Sequence, residues 1–315
     1  MSPMTRTTPY IPQRLGDSEY LPLRHLHLHV TRWGEPRPGT PPLVLLHGWM
    51  DVGASYQFMV DAFSAAFVSG RAIIAPDWRG FGLSAPPLPC DHYLFVDYLG
   101  DLDALLEHYA PDGQVDLVGH SMGGNVAMQY AGVRPTRIRR LVNLEGFGMP
   151  ATQPEQAPRR LEQWLDQLKQ LRRGEIAMKP YGGADEVAAR LMKNNPRLPL
   201  DKAAWLARQW ARPAGDGRWR VLGDAAHKIV NPYLFRVDEM LACYATITAP
   251  VLAVEASDSL IAERWKRHFS LDEYHQRLKH VADCRVAVVQ DAGHMLHHDQ
   301  PQALARLLED FLCIA

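Results

Sequence analysis

The sequence predicts an α/β architecture: a mostly parallel central sheet, helices on both faces, and a helical insertion late in the chain. Three observations carry this. Short strand-like runs at 43–46, 71–76, 115–118 and 138–144 alternate with helical patterns, which argues for parallel strands joined by crossover helices. The run 43–46 is apolar throughout, as in a strand covered on both faces. Finally, Gly119-His120-Ser121-Met122-Gly123 stands between a strand and a helical run that begins at Gly124. Strand, G-x-S-x-G and helix in that order is the setting in which a sharp turn exposes a serine nucleophile. A Cβ at either flanking glycine would collide with the neighbouring strand or helix. The helix N-terminus behind the serine favours developing negative charge.

In chain order, residues 20–33 alternate Leu26, Leu28 and Val30 with His25, His27 and His29, a period-2 strand with one buried face. Three histidines on one face invite a metal reading. No carboxylate or cysteine accompanies them, so none is expected. A Pro/Gly turn at 35–42 precedes the strand 43–46, which ends in His47-Gly48-Trp49-Met50-Asp51. Gly48 lets that loop bring backbone N–H groups close to a cleft. Residues 55–67 read as an amphipathic helix, and 71–76 as a strand that ends in Asp77-Trp78-Arg79-Gly80-Phe81-Gly82-Leu83-Ser84. Phe95, Tyr98, Leu99, Leu102, Leu105, Leu106 and Tyr109 keep helical spacing. The strand 138–144 ends at Glu145-Gly146. His47, Asp77, Ser121 and Glu145 thus all fall at strand ends, where open parallel sheets bind ligands.

The rhythm changes at Phe147. From there to Phe235 no strand pattern emerges, and helical patches at 159–172 and 185–192 are broken by Pro196, Pro199 and Pro213. Trp164, Trp205, Trp210 and Trp219 lie in this segment. Residues 147–235 are therefore expected to form a helical cap, inserted into a core of 1–146 and 236–315. A helix at 238–244 follows, then a strand at 250–254 that ends in Glu255-Ala256-Ser257-Asp258. A helical stretch at 261–281, a strand at 285–289, the turn Asp291-Ala292-Gly293-His294 and a helix at 302–312 complete the chain.

The 315 residues suffice for a large core. Hydrophobic residues make up 47% and charged residues 22%, the balance of a soluble globular protein. A formal net charge of -1 gives no field that would recruit nucleic acid or an anionic membrane. Cys90, Cys243, Cys284 and Cys313 form no C-x-x-C pair, which fits a reduced, cytoplasmic setting without a redox or metal motif. Residues 1–14 are polar and carry no secretory signal pattern. No run of about 18 apolar residues is present, so no transmembrane helix is expected.

Ser121, Asp258 and His294 occur in the chain order nucleophile, acid, base, which is characteristic of one serine-hydrolase design. With the motifs around His47-Gly48-Trp49, Asp77 to Ser84, Gly119 to Gly123, Pro250 to Asp258 and Gly293-His294, the chain resembles the α/β-hydrolase fold superfamily. Within it, the similarity is to capped, serine-hydrolase-like or esterase-like members. The resemblance implies Ser121 as nucleophile, His294 as base and Asp258 as the acid that orients it. It assigns the oxyanion hole to the backbone N–H groups of Trp49 and Met122. Glu145 stays open as the acid, because some capped relatives draw theirs from that strand end, and Glu255 is a third choice. His120, inside the elbow, is a candidate to pack or touch substrate. Asp77 and Arg79 read as structural, and His297, His298 and Asp299 as surface residues at the start of the last helix.

Relatives that open epoxides or displace halide carry aspartate at the elbow, so Ser121 speaks for acyl transfer to water. The expected function is a cofactor-independent, metal-free hydrolase of a carboxylic ester, its partner a small-molecule acyl substrate. C–C bond hydrolysis, thioester or lactone hydrolysis, and ligand binding without turnover remain the alternatives, since substrate choice lives in the cap and cleft.

Overall fold

The computed structural model describes residues 8–86, 88–259 and 269–314. Its strands are β1 (Asp17–Leu23), β2 (Leu26–Trp33), β3 (Leu43–Leu46), β4 (Ile73–Pro76), β5 (Val115–His120), β6 (Ile138–Leu144), β7 (Pro180–Tyr181), β8 (Ala211–Pro213), β9 (Trp219–Val221), β10 (Val251–Ala256) and β11 (Cys284–Val289). Eight of them form one sheet in the order β1-β2-β4-β3-β5-β6-β10-β11. From β4 to β11 every neighbour is parallel, and β1 and β2 add an antiparallel edge.

The helices are α1 (Gln57–Ala62), α2 (Ala65–Val68), α3 (Phe95–Tyr109), α4 (Met122–Val133), α5 (Ala157–Arg172), α6 (Ala184–Asn194), α7 (Leu200–Trp210), α8 (Val237–Ala245), α9 (Leu271–Leu278), α10 (Leu296–Asp299) and α11 (Pro301–Leu312). Alternate strand residues feed opposite faces of the sheet. Val44, Leu46, Leu117 and Leu141 pack with α3, α4, α8 and α9 on one side. Leu43, Leu45, Val118 and Val142 pack with α1, α2 and α11 on the other. This two-sided burial explains why the central strands are apolar without alternation.

Register fixes the functional edge. Leu46 pairs with Gly119, and Leu144 pairs with both His120 and Val254. The segments that follow β3, β5, β6 and β10 therefore emerge side by side at the C-terminal edge.

Four sequence expectations change. The strand at 20–33 is a hairpin, because the chain turns at Arg24, whose φ is 53°. Of its three histidines only His29 is buried, where its ring bonds Asp77 and Ser18, and His25 falls in the turn between the two strands. The helix at 55–67 breaks at Phe63, where Ser64 caps a second short helix by accepting from Phe67 N–H. The stretch 147–235, read as wholly helical, contains a three-stranded antiparallel sheet in the order β7-β9-β8. Its strands are too short for alternation to show in sequence. Residues 260–268, within the expected helix at 261–281, lie outside the described residues; α9 accounts for the part that follows.

The elements between β6 and α8 bury a cluster of their own, with Val187, Leu191, Leu198, Ala203 and Leu206 packed on Phe58 of the core. Among the described residues no helix is long and apolar enough to cross a membrane.

Candidate active site

Ser121 joins β5 to α4 with φ 53° and ψ -113°, a region that L-residues enter only under constraint. The constraint is steric and sits in the glycines. A Cβ on Gly119 would lie 2.3 Å from the Gly123 carbonyl oxygen. One on Gly123 would lie 2.2 Å from the Leu46 carbonyl oxygen. The helix can pack this close to β3 and β5 only when both are glycine, and that closeness forces the turn at Ser121. Five described non-glycine residues have positive φ, and three of them, Met50, Ser121 and Glu145, follow adjacent strands at this edge. Strain is thus concentrated where β3, β5 and β6 end.

His294 lies in the turn after β11. Its Nδ1 is 3.2 Å from Glu145 Oε2. An ionised carboxylate only accepts, so Nδ1 carries the hydrogen and Nε2 keeps its lone pair. Glu145 is held by β10 and the loop behind it. Ala256 N–H donates to Oε1 at 2.7 Å, and the Ser259 hydroxyl donates to Oε2. Burial pushes the Glu145 carboxyl up to about 7, with the Ser259 and Ala256 hydrogen bonds opposing. Burial pushes the His294 imidazole down to about 4. The imidazole is therefore neutral at rest.

This corrects the assignment of Asp258. Its carboxylate is half-exposed and accepts from Arg197 Nη2 at 2.6 Å, while its own N–H donates to the Ala292 carbonyl. The backbone position resembles that of a triad acid, but the side chain turns outward to Arg197. Glu145 leaves β6 with φ 56° and brings its carboxylate to His294 across the end of β10, where Ala256 N–H donates to it. Glu255, the third choice, pairs with His275 Nε2 at 2.6 Å.

The loop after β3 lies against the nucleophile. A Cβ on Gly48 would be 3.2 Å from Ser121 Cβ and 3.0 Å from His120 Nδ1, tighter than most side chains sit, so glycine eases this approach. Trp49 is 52% exposed beside it, at the mouth of the site. Met122 opens α4, and its N–H is a first-turn donor without an intrahelical acceptor. His47 is fully buried; its Nε2 accepts from Trp78 N–H at 2.9 Å, and its carbonyl accepts from the Trp78 indole at 3.0 Å. Asp77 accepts from His29, Gly53 N–H and Leu83 N–H, and Arg79 forks onto Asp101 at 2.5 and 2.6 Å. These residues brace the loops.

Two further expectations are decided. His120, a candidate to pack or touch substrate, packs: it is 2% exposed and donates through Nε2 to the His294 carbonyl at 2.7 Å. It ties the elbow to the histidine turn from below. His297 and His298 are buried, not on the surface, and flank the Ser55 hydroxyl at 3.2 and 2.6 Å. The short α10 turns them inward under the site. The segment 147–235 clasps the rim: Trp210 Nε1 donates to Asp51 Oδ1 at 2.8 Å, and Asn195 Nδ2 to Asp299 Oδ1 at 2.7 Å. Ser259 and Asp51 escaped notice in the sequence, because nothing local marks a partner so distant along the chain.

Comparison with known proteins identifies the fold. A family model described as alpha/beta hydrolase fold matches residues 41–301. A serine hydrolase-like protein of Danio rerio is 26% identical over 304 residues, covering 95% of this chain and 89% of the relative. A cis-3-alkyl-4-alkyloxetan-2-one decarboxylase of Shewanella oneidensis is 26% identical over 271 residues, covering 80% of this chain and 78% of the relative. Among solved structures, a hypothetical protein from Pseudomonas aeruginosa PAO1 superimposes with a TM-score of 0.80 at 25% identity, over 95% of this chain and 100% of the other.

Proposed function

The chain belongs to the α/β-hydrolase fold family, and on that premise we propose that it is a serine hydrolase that cleaves a carboxylic ester through an acyl-enzyme on Ser121. The observation that carries the reading is the Glu145–His294 pair at the same sheet edge as the strained Ser121.

Serine is a poor nucleophile until a base takes its proton. His294 Nε2 is the base. As Ser121 Oγ attacks the ester carbonyl, the proton passes to His294, and Glu145 stabilises the resulting imidazolium through Nδ1–H. The carbonyl oxygen becomes an oxyanion that accepts from the N–H groups of Met122 and Trp49. Collapse breaks the C–O bond and expels the alcohol, which takes the proton from His294. Water, deprotonated by His294, then attacks the acyl-enzyme; the acid leaves and Ser121 regains its proton. The segment 147–235 acts as the cap over this site, and its contacts at Asp51, Asp258 and Asp299 support that role. None of these steps calls for a cofactor.

The test is turnover of p-nitrophenyl esters of increasing acyl length, wild type beside Ser121→Ala. Loss of about 10⁴- to 10⁶-fold is expected. Full activity in the variant would end the proposal. If the wild type turned over no ester yet formed a covalent fluorophosphonate adduct on Ser121, the acyl chemistry would stand, with a thioester, lactone or C–C bond as substrate.

A further inference from the structure

Beneath the elbow, on the side away from solvent, lie Asp51, His120 and His297. All three are buried, at 4%, 2% and 0% exposure. One ligand atom from each lies within 4.8 Å of the others. They come from three separate turns: the loop after β3, the end of β5, and α10. Each also carries a buried polar atom without a hydrogen-bond partner, namely Asp51 Oδ2, His120 Nδ1 and His297 Nδ1.

Such atoms are costly. A buried acceptor without a donor loses its hydration and gains nothing in return. One orphan is ordinary; an orphaned carboxylate oxygen and an orphaned imidazole nitrogen in one cluster with a third ligand ask for a shared partner. The chemistry of that partner follows from the atoms. His120 Nε2 donates to the His294 carbonyl, which can only accept, so Nδ1 of the neutral ring presents a lone pair. Asp51 Oδ1 is already engaged by Val52 N–H and Trp210 Nε1–H, which fixes the carboxylate and leaves Oδ2 turned toward His297 Nε2 at 3.9 Å. His297 is locked in turn by Tyr56, His120 and His298, whose rings stand 5.0, 4.6 and 4.3 Å away. The set is two imidazoles and one carboxylate, each oriented by neighbours, with the Ser55 hydroxyl at His297 Nε2.

We propose that Asp51, His120 and His297 form a buried binding site for a divalent first-row transition metal ion of the Zn²⁺ type, built from two nitrogens and one oxygen. This donor set suits zinc and its neighbours rather than magnesium or calcium, which favour oxygen alone. Tetrahedral zinc with bonds of about 2.0–2.1 Å needs ligand atoms roughly 3.4 Å apart, so the three close by small rotamer shifts. The ion pins the oxyanion loop, the elbow and the last turn of the sheet edge to one another. It takes no part in acyl transfer and does not rest on the ester reading.

The experiment strips the full chain with a chelator, equilibrates it with Zn²⁺ alone and reads stoichiometry and affinity by calorimetry. Wild type, Asp51→Asn and His297→Gln run in parallel, with folding of each checked by circular dichroism. One tight site per chain is expected. Losing even an outer-shell partner of a metal costs about 10–100-fold in affinity, so losing a ligand here should cost at least about 100-fold. Exposed histidines such as His25 and His27 give a weak background common to all three proteins. Tight binding that survives in both variants overturns the proposal. A readout that needs no variant uses Co²⁺ on the wild type. Intense visible absorption of four-coordinate cobalt supports the site, and its absence, as when water fills the space, overturns it.

Discussion

Glu145 Oε2 stands 3.2 Å from His294 Nδ1, although 149 positions separate the two residues in the chain. The contact decides the tautomer of His294, and so which ring nitrogen is free to act as base. It also removes Asp258, whose carboxylate is held by Arg197, from that role.

Neutralising the right carboxylate should be severe and the wrong one mild. Glu145→Gln is expected to lower kcat on the order of 10⁴-fold, the cost of losing the acid in a serine triad. Asp258→Asn breaks only a half-exposed ion pair and should change kcat less than about threefold. Steady-state ester kinetics of the two variants check this, and the reverse ranking would restore Asp258.

The pH profile should carry the same signature. Glu145, pushed up to about 7, must shed its proton to stabilise the imidazolium, whereas His294, pushed down to about 4, is already neutral above that point. The acid limb of kcat/KM should therefore fall through about 7 and vanish in Glu145→Gln. A wild-type profile flat across about pH 5–8 would contradict it.

Stability should move the opposite way. The folded carboxyl keeps its proton to about 7, against 4.5 for an ordinary glutamate. The folded state thus binds more protons than the unfolded one across that window, and this group's contribution to stability is lost as pH rises through it. Glu145→Gln should gain Tm relative to wild type as pH rises from about 4.5 to 7, as measured by thermal scans. A constant difference would refute the sign.

Gly123→Ala should be among the costliest single-methyl additions in the chain. Its Cβ would meet two carbonyl oxygens, of Leu46 at 2.2 Å and His47 at 2.7 Å, neither able to swing aside. At least about 3 kcal/mol is expected by urea titration, the upper end for overpacking. Gly215→Ala, with open space around it, should stay within about 0.5 kcal/mol.

Asp116→Asn probes the opposite end of β5. The buried carboxylate accepts from Arg71 Nη1 at 2.7 Å and Arg139 Nη2 at 2.5 Å, with Arg71 itself buried. Removing its charge leaves a guanidinium uncompensated, so about 3–5 kcal/mol should be lost by denaturant unfolding, with activity of the folded fraction retained.

Short-range sterics make part of this molecule legible from its residues alone. Leu43 to Leu46, Gly119 and Gly123 dictate a two-sided strand and a forced turn at Ser121, because every atom involved lies within one strand–turn–helix unit or on the strand beside it. Gly293-His294 after an edge strand was legible for a similar reason. The choice among Asp258, Glu145 and Glu255 needed the folded chain, since all three end strands and differ in which side chains they meet. Strand order does not choose between them, because β10 lies between β6 and β11; long-range contacts do, as Ala256 N–H and the Ser259 hydroxyl hold Glu145 against His294 while Arg197 holds Asp258. The inward turn of His297 and His298 was hidden likewise. Adjacent polar residues at a helix start read as solvated, and only the packing of α10 under the elbow, against Ser55 and Tyr56, carries them inside.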